Sequence, residues 1–347
     1  MRSTSPGAGP LPSPAFLPRF MIGAFWILLG LVTLVVGAEL LVRGASRLAL
    51  ALGVSPLVLG LTIVSIGTSA PELAVGVTAN LQGSSSLAIG NIAGTNVFNL
   101  LFILGLTAVI RPIQLQLRLV RVELSVALLA GVLLWLFALN GTLSTVEGWV
   151  LVTIGVLYTL AIVRLSRLES REVESEFSES LQQLTPAEEK GASAAVIVRA
   201  SVTLLIGLAL SVVGADWLVD GAVTVARSWG ISEAVIGLTI VSAGTSAPEL
   251  VTTIVATLKG ERDVAIGNLL GSCIYNILII LGLTAVASPA GIGVEHAFIR
   301  VDLPVMVASF ALCVPAFVTG RRLSRIEGGV GVALYVGYIS WLLFSRT

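Results

Sequence analysis

The chain has 347 residues, 56% of them hydrophobic and only 12% charged, with a mean hydropathy of +0.99. That composition excludes a water-soluble globular protein. Lys and Arg balance Asp and Glu at 20 each, so the basic excess expected of a nucleic-acid-binding protein is missing.

Residues 1–20 hold five prolines and no apolar core of signal-peptide length, and read as a disordered tail. Met21 opens the first apolar run directly, which makes it an alternative start of translation. From there, apolar stretches long enough to cross a hydrocarbon core of roughly 30 Å recur to the end of the chain. The first five are expected at 22–42, 54–80, 86–109, 121–139 and 147–164. A glutamate-rich stretch at 165–195 follows, its charge density that of a solvated cytoplasmic linker; a calcium-sensing role is the alternative, against which the stretch lacks the D-x-D-x-D-G pattern of a calcium loop. The second five are expected at 197–219, 231–258, 263–286, 300–319 and 328–345. Cys273 and Cys313 both fall inside these segments, which argues against a disulfide framework or a cysteine-based zinc site.

The halves are copies. LVLGLTIVSIGTSAPEL at 57–73 is answered by AVIGLTIVSAGTSAPEL at 234–250, placing Glu72 and Glu249 177 positions apart. The same offset aligns Gly37-Ala-Glu with Gly214-Ala-Asp, Ala88-Ile-Gly-Asn with Ala265-Ile-Gly-Asn, and Asn99 with Asn276. Arg121-Val-Glu-Leu matches Arg300-Val-Asp-Leu, and Glu147-Gly matches Glu327-Gly, at slightly longer offsets. The predicted fold is therefore an all-α membrane protein of about ten transmembrane helices in two units, 21–164 and 196–347. Five crossings are an odd number, so the second unit runs inverted relative to the first. With the N-terminus outside, only Arg2, Arg19, Arg227, Arg300 and Arg346 of the 20 basic residues fall on the outer face. The positive-inside rule then places both termini outside a plasma (inner) membrane.

Glu72 and Glu249 lie near the middle of apolar spans, where an acid costs about 2.5 kcal/mol or more, so a compensating cation is expected there. Each follows Gly-Thr-Ser-Ala-Pro. Pro71 and Pro248 leave the carbonyls of Gly67 and Gly244 without their helical donors, loosening the backbone beside the acid. In the next helices Thr95 and Asn99, and Ser272 and Asn276, are spaced i, i+4 and present a hydroxyl and an amide from one face. Carboxylate, carbonyl, hydroxyl and amide oxygens suit a hard cation. Ca²⁺ fits an irregular set of six to eight ligands better than Mg²⁺ does, and two glutamates neutralise one Ca²⁺. Na⁺, of similar radius, would compete for the same oxygens.

The duplicated G-T-S-x-P-E followed by G-N-x-x-G-[ST]-x-x-x-N resembles the α-repeats of the cation/calcium exchanger superfamily, nearest its prokaryotic sodium/calcium exchanger branch. The resemblance covers Met21 to the C-terminus. It implies ten helices and ion sites built from the second, third, seventh and eighth. It further implies that Glu72 and Glu249, with the carbonyls of Thr68 and Thr245, hold calcium. Ser69, Thr95, Ser246 and Ser272, with the carbonyls of Ser65 and Ser242, would form the flanking sodium sites, and Asn99 and Asn276 would line the centre. Two positions depart from the pattern: Asn276 where the potassium-dependent branch carries Asp, and Thr95 where Ser is commoner.

The expected function is a secondary antiporter, not an enzyme, exporting Ca²⁺ in exchange for Na⁺ without a cofactor, a nucleic acid or an obligate protein partner. No Walker motif points to ATP as the energy source. An H⁺-coupled calcium antiporter is the nearest alternative, since the same glutamates can carry protons; a passive cation channel and a non-transporting scaffold are the others.

Overall fold

The computed structural model describes residues 16–81, 86–114, 117–181, 194–229, 231, 236, 240, 242–319 and 322–346. Helix dominates it, in the order α1 Phe16–Leu52, α2 at 56–81, α3 at 86–110, α4 Leu117–Ala138 and α5 Thr145–Leu181. Then follow α6 Ala194–Ser228, α7 at 242–259, α8 at 262–286, α9 at 298–319 and α10 Arg325–Arg346. Among the described residues, seven of these helices are long and apolar enough to cross a membrane. The other three are α4, whose apolar part spans Val122–Ala138, α7, described from Ser242 onward, and α9. The fifth helix continues beyond 164 to Leu181, so the front of the acidic stretch is helical.

The start of α5 and α10 explains one repeated motif. Ser144 and Glu147 form a reciprocal capping box: the Ser144 backbone N–H donates to Glu147 (2.7 Å), and the Glu147 N–H donates back to the serine hydroxyl (3.3 Å). Ser324 and Glu327 repeat it at 2.8 and 3.3 Å. The duplicated Glu-Gly pairs are thus helix starts, which the chemistry of the centre does not use.

Antiparallel pairing of the two copies is visible in α1 and α6. Gly23, Gly30, Gly37 and Gly44 recur every seven residues on α1; the first three meet Gly221, Gly214 and Gly207 on α6 and Gly44 meets Leu204, with low numbers on one facing high numbers on the other. A Cβ at Gly207 would stand 2.2 Å from the Leu41 nitrogen, and one at Gly37 2.5 Å from the Ser211 nitrogen. The backbones themselves are in contact, the arrangement that small residues permit between membrane helices, where dispersion and close packing supply the attraction. Because equivalent helices of the two units run in opposite directions here, the inversion expected from the odd number of crossings is present in the fold.

The units are also strapped across each other. Ile113–Gln114, after α3, pairs antiparallel with Arg322–Leu323, before α10. Thr142–Leu143, before α5, pairs with Ile292–Gly293, after α8. Accordingly α10 packs on α3 and α5 packs on α8, each closing helix covering the other unit's third helix. The buried core is centred on α3 and α8.

The backbone contact yields a prediction. Gly207→Ala forces the Leu41 main chain away and should destabilise the protein by about 1–3 kcal/mol, whereas Gly337→Ala, which meets open space, should be nearly neutral. Thermal unfolding in detergent compares the two; equal melting temperatures would contradict the close packing of α1 on α6.

Candidate cation site

Both glutamates sit just after a break in their helix. Ser65–Thr68 ends at Ser69 (φ −85°, ψ 11°), and Ala70–Leu81 resumes with Pro71 in its first turn. Ser242–Thr245 ends at Ser246 (φ −90°, ψ 9°), and Ala247–Lys259 resumes with Pro248 there. The two serines occupy the same sparsely populated backbone region, frequent at functional positions. Proline fits the first turn of a helix, where its missing N–H costs nothing, and cannot continue the turn before it. The sequence therefore sets the break, and the break sets the carboxylate three residues beyond it.

The acids are satisfied crosswise. Ser246 of the second unit donates to Glu72 Oε1 at 3.2 Å, and Ser69 of the first unit donates to Glu249 Oε1 at 3.0 Å. Ser272 also donates to Glu249 Oε1 (3.4 Å), and the Ser246 hydroxyl lies 3.4 Å from Thr95 Oγ1. Thr245 stands beside Glu72 and Thr68 beside Glu249. Glu72, Glu249, Ser69, Ser246, Ser272, Asn99 and Asn276 all have no exposed surface. Shifting each number by 177 turns one serine–glutamate bond into the other, so the site has the pseudo-twofold symmetry of the repeat.

One oxygen of each acid is spoken for and the other is not. Glu72 Oε2 and Glu249 Oε2 make no hydrogen bond among the described residues, and neither do Asn99 Oδ1, Asn99 Nδ2 and Asn276 Oδ1. Buried carboxylate oxygens left without donors are rare in native proteins and are costly unless a cation meets them. No basic side chain forms an ion pair with either glutamate among the described residues; Glu39, by contrast, pairs with Arg43 and Lys259. Nor do the described residues hold a group of three His, Cys, Asp or Glu. The donor set is two carboxylates among neutral oxygens, which fits a hard cation that tolerates irregular geometry.

Asn99 and Asn276 each stand where an α-helix widens into a π-helical turn, at Phe98–Ile103 and Asn276–Leu281. Such turns cluster at functional positions and re-aim the side chains they carry. Ser65 and Ser242 lie at the start of the short helical segments before the breaks. Ser65 donates to the carbonyls of Leu61 (2.7 Å) and Thr62 (3.1 Å), while its own carbonyl accepts the Ser69 N–H at 3.1 Å. Ser242 opens the short helix Ser242–Thr245.

Three residues escaped the sequence reading. Asn96 Oδ1 accepts from Asn276 Nδ2 at 3.3 Å, Asn268 Oδ1 accepts from Thr68 at 3.0 Å, and the buried Thr252 hydroxyl has no partner among the described residues. Asn268 carried a signal, as the last residue of the duplicated Ala-Ile-Gly-Asn. Asn96 and Thr252 had none, because their repeat counterparts are Cys273 and Val75. On the same helices, Gly267 and Gly271 lie against the Leu57 and Leu61 carbonyls of α2 and Gly90 against the Phe298 ring, while a Cβ at Gly94 would meet open space.

This geometry has known counterparts. The sodium/calcium exchanger protein family matches residues 22–164 and 199–344. CaxA of Alkalimonas amylolytica, named as an antiporter, is 36% identical over 94% of this chain and 99% of its own. Sodium/calcium exchanger MaX1 of Methanosarcina acetivorans is 32% identical over 92% of this chain and 97% of its own. The solved structure of the sodium-calcium exchanger NCX_Mj superposes with a TM-score of 0.77 at 29% identity, covering 92% of this chain and 99% of that one. Two inverted copies carrying paired buried glutamates, matched over nearly their whole length, make this chain a member of the sodium/calcium exchanger family of multi-pass membrane antiporters.

Proposed function

We propose that the protein exports Ca²⁺ from the cytoplasm in exchange for Na⁺ across the plasma membrane, with both termini outside. The observation that carries this reading is the pair of fully buried carboxylates, each with one oxygen bound to a serine of the opposite unit and the other oxygen without a donor.

The chemistry follows from charge and access. Glu72 and Glu249 together offset one Ca²⁺, with the carbonyls of Thr68 and Thr245 completing its shell. Na⁺ ions occupy two flanking positions, one beside Glu72 at Ser246 and Thr95 and the other beside Glu249 at Ser69 and Ser272, completed by the carbonyls of Ser65 and Ser242. Asn99 and Asn276 supply neutral oxygens at the centre, and Asn96 orients Asn276. Bare, the site would leave two negative charges in a medium that penalises each by about 2.5–3.5 kcal/mol, so passage between the inward- and outward-facing forms is easiest with cations bound. Because Na⁺ and Ca²⁺ draw on the same carboxylates, each displaces the other, and this obligatory alternation is exchange. The two inverted units, 21–164 and 196–347 joined through 165–195, supply equivalent access to the two sides.

In reconstituted vesicles, an outward Na⁺ gradient should drive Ca²⁺ uptake, and a proton gradient without Na⁺ should not. Proton-driven uptake would reverse the choice of coupling ion. Glu72→Gln and Glu249→Gln keep side-chain shape but remove the charge that offsets ion dehydration. Each should abolish Ca²⁺ transport while the protein still inserts, and wild-type flux in either would contradict the assignment.

Asn276→Asp tests the centre. Asn276 now donates to Asn96 Oδ1; an aspartate there sets acceptor against acceptor and adds a buried charge that a cation or a proton must offset. Ca²⁺ flux compared at about pH 6 and pH 8 should become more pH-dependent than in the wild type, and K⁺ should gain an effect on it. Identical profiles would place residue 276 outside the ion path.

A further inference from the structure

Two more buried acids lie in the helical core, neither within the cation site. Glu123 on α4 is 2% exposed and accepts the O–H of Tyr158 on α5. Asp302, at the start of α9, is 4% exposed and accepts the O–H of Tyr338 on α10 at 2.6 Å. They occupy the repeated Arg-Val-Glu-Leu and Arg-Val-Asp-Leu, so the carboxylate–tyrosine pair is duplicated along with the ion ligands. In each unit it fastens the fifth helix to the fourth.

The tyrosines lead back to the centre, and they do so across the units. The Tyr158 ring packs edge-on against Tyr275 of the second unit, with centroids 6.1 Å apart, and the Tyr275 hydroxyl lies 2.8 Å from that of Thr159, the next residue on α5. Tyr275 immediately precedes Asn276, at the junction where α8 passes from α to π. In the other direction, Tyr335 of the second unit packs against Phe98 at 5.1 Å, and Phe98 immediately precedes Asn99 at the equivalent junction of α3. One tyrosine, Tyr158, both holds the acid and packs on the junction. The second unit divides the work between Tyr338 and Tyr335, one helical turn apart.

We propose that Glu123 with Tyr158, and Asp302 with Tyr338 and Tyr335, are positioning residues: each set fixes the junction residue, and with it the central asparagine, of the opposite unit. This rests on the reading of Asn99 and Asn276 as part of the ion path. A π turn has poorer hydrogen-bond geometry than the α-helix around it, and its position along the helix is set by what packs on it. A ring held at its far end by a buried carboxylate has little freedom, and it hands that restriction to the side chain it covers. Tyr275 is held by a ring and a hydroxyl, and Phe98 by two rings, those of Tyr335 and Phe102.

The test measures Ca²⁺ binding to purified protein by calorimetry, the melting temperature without ions, and Ca²⁺ flux in vesicles. Tyr158→Leu should raise the Ca²⁺ dissociation constant about tenfold, some 1.4 kcal/mol of binding, while maximal flux changes less than about twofold. Glu123→Ala should do the same, and Glu123→Gln, which keeps an acceptor for the tyrosine, should recover most of the lost affinity. Affinity unchanged in Tyr158→Leu and Glu123→Ala, with only the melting temperature lowered, would make the pair a plain helix fastener and overturn the proposal. Should Tyr158→Leu fail to fold, Tyr158→Phe keeps the ring and drops the O–H; affinity within error of the wild type there would equally overturn it. A wild-type protein that neither binds nor moves Ca²⁺ would instead defeat the exchange function, and this inference with it.

Discussion

Two carboxylates with no basic partner among the described residues, set deep among apolar helices, are the constraint from which the rest of the structure follows. Charged and bare they are expensive there, and a cation must offset them. Every neighbouring feature reduces that cost or shapes the cation that does so: serines at helix breaks donate to one oxygen of each acid, and neutral amides stand at the centre. The other oxygen of each acid makes no hydrogen bond among the described residues, which leaves it open to a cation.

The repeat makes the site reciprocal. Neither unit completes its own acid: Glu72 depends on Ser246 and Glu249 on Ser69. The same exchange governs the scaffold, where α5 covers α8, α10 covers α3, and short strands tie the loops of one unit to the other. The α1–α6 pair is built on a different principle, with glycines every seven residues bringing two backbones into contact. Lipid offers no hydrophobic drive between helices, so packing this close is a main source of their association.

Much of this was legible in the residues. The 177-residue offset, the glutamates after Ala-Pro, and the hydroxyl and amide four residues apart carry the architecture and most of the site, because a duplicated intramembrane acid has few structural explanations. What stayed hidden has physical causes. The break was expected from Pro71 and Pro248, yet the residues at the break are Ser69 and Ser246, and only their backbone angles reveal it. The π turns at Phe98 and Asn276 have no composition of their own, so the aim of the central asparagines could not be read. Asn96 broke the repeat and passed unnoticed for that reason. Glu147 and Glu327, which marked the repeat in the sequence, are helix caps.

The central claim is that one divalent ion balances Glu72 and Glu249 and that Na⁺ contends for the same oxygens. Calorimetric titration of the purified protein with Ca²⁺ at increasing Na⁺ tests it most directly. The account predicts one Ca²⁺ per chain, with an apparent affinity that falls steadily as Na⁺ rises. Binding of Ca²⁺ that is indifferent to Na⁺, or no binding at all, would contradict it.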